Sequence, residues 1–275
     1  MEGSGAMHTV IPGTGGARRE IFISAVQFED GLRSGNNTVL DLAPLAAQCG
    51  VQGVEYRDVY WKDKAREVPA VREQLASLKL KGTYTSVTTL YSRDPAMQQQ
   101  LLQDIEDAKA LGSPLLRVTL GEHPELARDA AAIRMAARGA IERASKRRIR
   151  LSLENNSKAP GHRLEEIQGA VEQFNSRVLG INIDFANFVA TDQDAVAAIR
   201  ALAPRINYTH AKDARKTPDG WKSTYLGNGI LPLQAIIAAL DATGSRFPFC
   251  FEFPGEGDPE GAIRKSLEFM AKLGA

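Results

Sequence analysis

Two cysteines, Cys49 and Cys250, are all that 275 residues provide, too few for a disulfide framework or a thiolate metal site. A reducing compartment suits them. No stretch approaches the roughly 18 consecutive apolar residues of a membrane-spanning helix, and the first residues lack the apolar core of a secretory signal. The expectation is a soluble, cytoplasmic protein with no membrane partner. An excess of charge is also missing. Lys and Arg number 34 against 33 Asp and Glu, a formal net charge of +1, whereas nucleic acid and anionic surfaces recruit clustered basic residues. The glycine-rich turn that cradles a dinucleotide should follow a strand and open a helix. Gly13-Thr14-Gly15-Gly16 instead precedes the first candidate strand.

Residues 1–19 hold five glycines and little apolar content, so they are expected to form a flexible tail. Beyond them, β-rich runs alternate with helical periodicity to the end of the chain, and no break in composition divides residues 20–275. Candidate strands are Ile21–Gln27, Gly53–Arg57, Lys81–Val87, Leu115–Leu120, Ile149–Glu154, Leu179–Asp184, Ile206–His210 and Phe247–Phe253. Helical stretches lie between them: Thr38–Cys49, Val68–Leu78, Pro95–Leu111, Pro124–Lys146, Leu164–Phe174, Asp192–Leu202, Leu231–Ala242 and Pro259–Leu273. In Pro95–Leu111, apolar Met97, Leu101, Ile105, Ala108 and Leu111 recur every three or four residues, which marks one buried helical face. About 255 residues shared by eight β–α units is roughly 32 each, the size expected of a (β/α)8 TIM barrel. An open doubly wound sheet is the competing α/β architecture. The strand count and the missing phosphate loop favour a single barrel.

Active sites of such barrels sit at the C-terminal ends of the strands. Four candidate strands, the fifth to the eighth, end in side chains that ligate metals: Glu154 in LSLENN, Asp184 in NIDFAN, His210 in THAKDA and Glu252 in FEFPG. Three carboxylates converging with one imidazole would repel one another unless a cation lay between them. Mixed oxygen and imidazole ligation suits Mn2+ first, then Mg2+, Co2+ or Zn2+. Each of these residues alone has a plainer reading, since acidic residues at strand ends cap helices and single histidines serve as structural hydrogen-bonding groups. Their equivalent positions on successive strands argue for a shared site.

Period-two alternation puts Cys250 and Glu252 on one strand face and Phe249, Phe251 and Phe253 on the other. Arg150, Ser152 and Glu154 likewise share a face. A buried Arg150 is therefore expected beside a carboxylate low in the barrel.

The run LSLENN, NIDFAN, THAKDA and FEFPGEGDPEGAI resembles the xylose isomerase-like TIM barrels, the sugar phosphate isomerases and epimerases, over nearly the whole chain after the tail. YLGNGILPL, Tyr225–Leu233, is similar to that family's glycine-containing loop after strand seven. The resemblance implies one divalent metal bound by Glu154, Asp184, His210 and Glu252, a sugar or keto-sugar substrate and, as in many relatives, a homo-oligomer. It further implies that Glu154 and Glu252 flank the substrate and exchange protons on its opposite faces. Two departures bear on mechanism. Asn187 and Asn156 stand where many members carry histidine, and asparagine binds hydroxyls but is no general base near neutral pH.

A divalent ion chelating a carbonyl and its neighbouring hydroxyl acidifies the adjacent C–H, giving isomerisation or epimerisation on reprotonation. Loss of a leaving group from the next carbon gives instead a lyase, acting on an inosose, a dehydroshikimate-like acid or a 3-keto-glycoside. A noncatalytic partner subunit is the remaining alternative. A nuclease of the trinuclear zinc kind needs many histidines, and His8, His123, His162 and His210 are the whole supply. Substrate-binding candidates are Lys212, Asn156, Asn187, Arg57, Arg117 and His162, each with an ordinary surface or ion-pairing alternative. His123 and His162 are candidates for the missing base, and Asp213 for orienting Lys212 or His210. Tyr56, Trp61, Tyr91 and Trp221 are candidates for stacking on a sugar face.

Overall fold

The computed structural model describes residues 19–122 and 128–274. The tail other than Arg19, together with His8 and His123, lies outside the described residues. Eight strands close into a parallel barrel: β1 (Ile21–Ser24), β2 (Gly53–Arg57), β3 (Lys81–Tyr91), β4 (Leu115–Gly121), β5 (Arg150–Glu154), β6 (Leu179–Asp184), β7 (Ile206–Ala211) and β10 (Phe249–Phe251), with β10 returning to pair with β1. Between β7 and β10 an antiparallel hairpin, β8 (Asp213–Thr217) and β9 (Gly220–Thr224), rises from the rim. No candidate strand or helix of the sequence covers this stretch. Its register pairs Asp213 with Thr224 and Thr217 with Gly220.

Helices α1 (Glu29–Ser34) to α10 (Pro259–Leu273) surround the barrel. The expected helix over Pro95–Leu111 forms with those bounds as α4: Asp94 caps it by accepting from Ala96 N–H at 2.9 Å, Pro95 fits the first turn, and Gly112 ends it at φ +86°. Leu101, Ile105, Ala108 and Leu111 are buried along it.

Alternation along the strands builds two separate cores. Outward residues such as Phe249, Phe251 and Phe253 pack against the helices, with Phe249 edge-on to Phe185 at 5.5 Å. Inward residues Phe22, Leu115, Tyr208 and Cys250 form a second cluster plugging the barrel. Gly53 faces this plug, where any side chain would strike the Phe22 ring. The expected Cys250/Phe alternation therefore holds. The expectation for Arg150 does not: it is exposed, because it opens its strand at the N-terminal mouth and its side chain reaches water. Arg19, assigned to the tail, is docked on the barrel, donating to Phe247 O at 3.1 Å and lying over the Phe249 ring.

Candidate functional site

Register places the inward side chains of β5, β6, β7 and β10 in one layer. Asp184 pairs with His210, Glu154 with Asn182, and Cys250 with His210, so Glu252 stands one inward step above Cys250. Each strand delivers one chelating group to the same point. One ligand atom from each of Glu154, Asp184, His210 and Glu252 lies within 4.8 Å of the others, and all four residues are buried.

Local contacts set this geometry. Asn155, directly after β5, exchanges two hydrogen bonds with the Asp184 backbone: its Oδ1 accepts from the amide at 2.8 Å and its Nδ2 donates to the carbonyl at 3.2 Å. The ends of β5 and β6 are thus locked together. Asp184 then divides its carboxylate. Oδ1 caps helix α7 (Phe185–Ala190) through the amides of Ala186 and Asn187, and the buried Oδ2 turns to Lys212. Lys212 Nζ forms an ion pair with that oxygen at 2.6 Å and donates to Glu252 Oε2 at 2.7 Å.

Two arginines complete the buried network. Arg117 Nη2 approaches Glu154 Oε2 at 3.1 Å and Glu252 Oε1 at 3.7 Å while Nη1 donates to Ser86 O. Arg57 Nη1 donates to Glu252 Oε1 at 3.0 Å. Each ring nitrogen of His210 faces a carboxylate, Nδ1 at 2.6 Å from Glu154 Oε1 and Nε2 at 2.7 Å from Glu55 Oε2.

These neighbours govern protonation. Burial pushes the Glu154 carboxyl up, but the Arg117 charge and the His210 hydrogen bond outweigh it and hold the pKa at about 2. Burial opposes ionisation of Glu252 too, and Lys212, His210 and the two arginines bring it well below the ordinary carboxylate range. Asp184 goes the other way, raised to about 6 by burial despite Lys212, with Glu154 and Glu252 adding to the rise. Burial lowers the His210 value, yet the surrounding carboxylates Glu55, Glu252 and Glu154 raise it to about 10.

The four-ligand spacing and the chemistry of the donor set fit a divalent ion. Three carboxylates and one imidazole are the donor set that Mn2+, Co2+ or Zn2+ accept. Above the ligands opens a cavity of about 510 Å3 lined by Arg57, Arg117, Glu154, Glu252, Lys212, Asn156, Asn187 and Trp221. Lys222 and Ser223 of the hairpin also line it, so the segment missed in sequence supplies part of the wall. A larger groove between α3 (Lys64–Ser77) and α4, about 830 Å3, brings together no set of buried ligating groups among the described residues.

Most of the expected substrate-side residues therefore converge; several do not. His162 is absent from the cavity lining and its Nδ1 is 2.9 Å from Ala159 O, so the structure does not bring it to the site as a base. Asp213 orients neither Lys212 nor His210. Its carboxylate accepts from the amides of Ala214, Gly227, Gly229 and Leu231, which fixes the loop within Tyr225–Leu233. Tyr56 is fully buried in a stack with Trp61 and Tyr84, and Tyr91 is buried with its hydroxyl on Gln173; of the four aromatics, Trp221 alone lines the cavity. The sequence singles out neither Glu55 nor Asn155: both make their contacts with residues distant in sequence, and Asn155, though inside LSLENN, carries no ionisable ligating group.

A family model described as the xylose isomerase-like TIM barrel matches residues 43–273. The chain belongs to that family. Among solved structures of the fold, D-allulose 3-epimerase from Methylomonas sp. in complex with D-allulose is 19% identical, with a TM-score of 0.73 over 96% of this chain and 98% of that one. The probable 3-DHS dehydratase AsbF from Bacillus anthracis is 15% identical, with a TM-score of 0.75 over 91% of this chain and 98% of that one. The IolI protein with a bound zinc atom is 16% identical, with a TM-score of 0.76 over 92% of this chain and 97% of that one. At these identities the likeness is one of fold. A curated relative, the uncharacterized protein YihM of Escherichia coli K12, is 30% identical over 87 residues, 30% of this chain and 27% of that protein. Among the described residues, no helix is long and apolar enough to cross a membrane.

Proposed function

We propose that this family member is a divalent-metal-dependent isomerase or epimerase of a sugar or keto-sugar, with Glu154, Asp184, His210 and Glu252 as ligands. The observation that carries the reading is the buried four-ligand layer under an open cavity. The bound ion would polarise a substrate carbonyl and its adjacent hydroxyl, acidify the C–H beside them and stabilise the enediolate. Glu154 and Glu252 are the carboxylates of this layer that reach the cavity, and both are held in the ionised form that a base needs. In this reading one carboxylate takes the proton from carbon and, for isomerisation, returns that same proton to the neighbouring carbon. Epimerisation requires the other to enter the step protonated, with a proton taken from water, and to deliver it to the opposite face. Arg117 spans both, keeping their oxygens in place. Asn156, which donates to Glu154 Oε2 at 3.1 Å, and Asn187 contribute hydroxyl recognition rather than base catalysis. Lys212 holds a substrate oxygen. Mn2+ is the first candidate for the metal.

A lyase reading uses the same half-reaction, ending in loss of a leaving group. The likeness to a probable dehydratase supports it, as do the cations Arg57, Arg117 and Lys212 on the cavity wall, which suit an acidic substrate. Incubating Mn2+-loaded protein in D2O with ketopentoses, ketohexoses, an inosose, 3-dehydroshikimate and a 3-keto-glucoside separates the readings. Deuterium at the carbon beside the carbonyl with a new epimer or isomer supports the first, and an unsaturated product supports the second. Neither exchange nor elimination on any of them, with metal bound, argues for a noncatalytic subunit.

A further inference from the structure

The two nitrogens of His210 face different surroundings. Nδ1 points at the ligand layer, 2.6 Å from Glu154 Oε1 and 3.6 Å from Glu252 Oε2. Nε2 points away from that layer, to Glu55 Oε2 at 2.7 Å. Glu55 lies on β2, fully buried, and its other oxygen accepts the Ser24 hydroxyl at 2.9 Å. It does not line the cavity, so it is not placed to touch substrate.

Stability alone is a poor reason for this carboxylate. The barrel interior around Phe22, Leu115 and Cys250 is apolar, and an apolar side chain there would avoid the desolvation of a buried charge. What Glu55 adds is direction. A carboxylate faces each ring nitrogen, but a cation in the ligand layer would take up Glu154 and displace any proton from Nδ1, whereas Glu55, outside that layer, stays free to hold the remaining proton on Nε2.

We propose that Glu55, seated by Ser24, is a positioning residue that holds the His210 ring and its Nε2 proton so that Nδ1 is presented to a divalent cation shared with Glu154, Asp184 and Glu252. The inference rests on the metal reading of the site and goes beyond it by naming a residue outside the ligand set. Glu55, His210 and Cys250 themselves offer ligand atoms within 4.8 Å of one another. That trio would need Nε2 as a ligand in place of a donor, and a thiolate that burial and the Glu55 charge disfavour.

The test is Mn2+ and Zn2+ binding to the full-length metal-free protein by calorimetry, in wild type, Glu55→Gln, Glu55→Ala and Ser24→Ala. Thermal midpoints and ¹⁵N-histidine spectra of the Zn2+-loaded forms accompany it. Wild type should bind one equivalent, with His210 metallated at Nδ1 and protonated at Nε2. Glu55→Ala should weaken binding about 10- to 100-fold, with Glu55→Gln intermediate because its amide oxygen still accepts from Nε2. Ser24→Ala should weaken it less than Glu55→Ala. Should Glu55→Ala fail to fold, the Gln and Ser24 variants carry the test. Folded variants that all bind within twofold of wild type, or His210 metallated at Nε2, would overturn the role of Glu55 while leaving the metal site standing. No binding by wild type would remove both.

Discussion

The ammonium of Lys212 and Oδ2 of Asp184 lie 2.6 Å apart, and the same ammonium sits 2.7 Å from Glu252, so two proposed metal ligands share one side-chain cation. Burial and these carboxylates act on Lys212 in opposite senses, and the carboxylates win, raising its pKa and keeping it charged. Lys212 thereby holds together acids that would otherwise repel at close range. It also competes with a divalent ion for the same oxygens.

Replacing Lys212 should therefore tighten metal binding. Lys212→Gln is expected to lower the Mn2+ dissociation constant about tenfold, which corresponds to about 1.4 kcal/mol, and to lower the thermal midpoint of the metal-free protein. Calorimetry at pH 7.5 measures the first and a thermal melt the second. Weaker Mn2+ binding would show that the ammonium helps the ion.

The pH dependence of the metal-free protein follows from His210. Its folded pKa, about 10, lies above the ordinary 6.5, so the folded state holds a proton that the unfolded chain releases earlier. That contribution to stability is complete below about pH 6.5 and disappears as pH rises through about 10. Glu154 has the opposite sign: depressed to about 2, it contributes above about pH 4.5 and loses that contribution as pH falls through 2. Thermal midpoints of the metal-free protein should fall between pH 7 and pH 10. With Mn2+ bound the fall should be smaller, because ligation favours the neutral imidazole. Melts at five pH values, with and without metal, check both.

Arg117 and Arg57 should differ in their weight. The Arg117 side chain is 3% exposed and spans Glu154 and Glu252, so Arg117→Met strands buried charge and is expected to cost about 3–5 kcal/mol. The Arg57 side chain is 16% exposed and, among the described residues, its ion pair is with Glu252, which also has Lys212. Arg57→Met should cost less. Urea unfolding of both variants in the metal-free state measures the difference, and equal losses would mean that Glu154 does not depend on Arg117.

Strand and helix periodicity was legible in the sequence because burial imposes it: β2, β6, α4, α6 (Leu164–Phe174) and α10 have the bounds read from the chain. The four ligand candidates were legible because a barrel delivers each strand end to one rim. What escaped depends on contacts between distant residues or on local chemistry without a hydrophobic pattern. The β8–β9 hairpin reads as a polar loop, since KTPDGWK alternates no apolar face, yet Trp221 and Lys222 reach the cavity from it. Glu55 sits mid-strand in GVEYR, and its partner His210 is 155 positions away. Arg150 misled because strand parity says which side chains point inward, not how near the mouth the first of them lies.

The most direct test of the account is metal content after dialysis against micromolar Mn2+, measured by plasma mass spectrometry on wild type and His210→Ala. The account predicts about one equivalent in wild type, following from a single four-ligand site, and a small fraction of that in His210→Ala. Equal metal in the two proteins, or none in either, would contradict it.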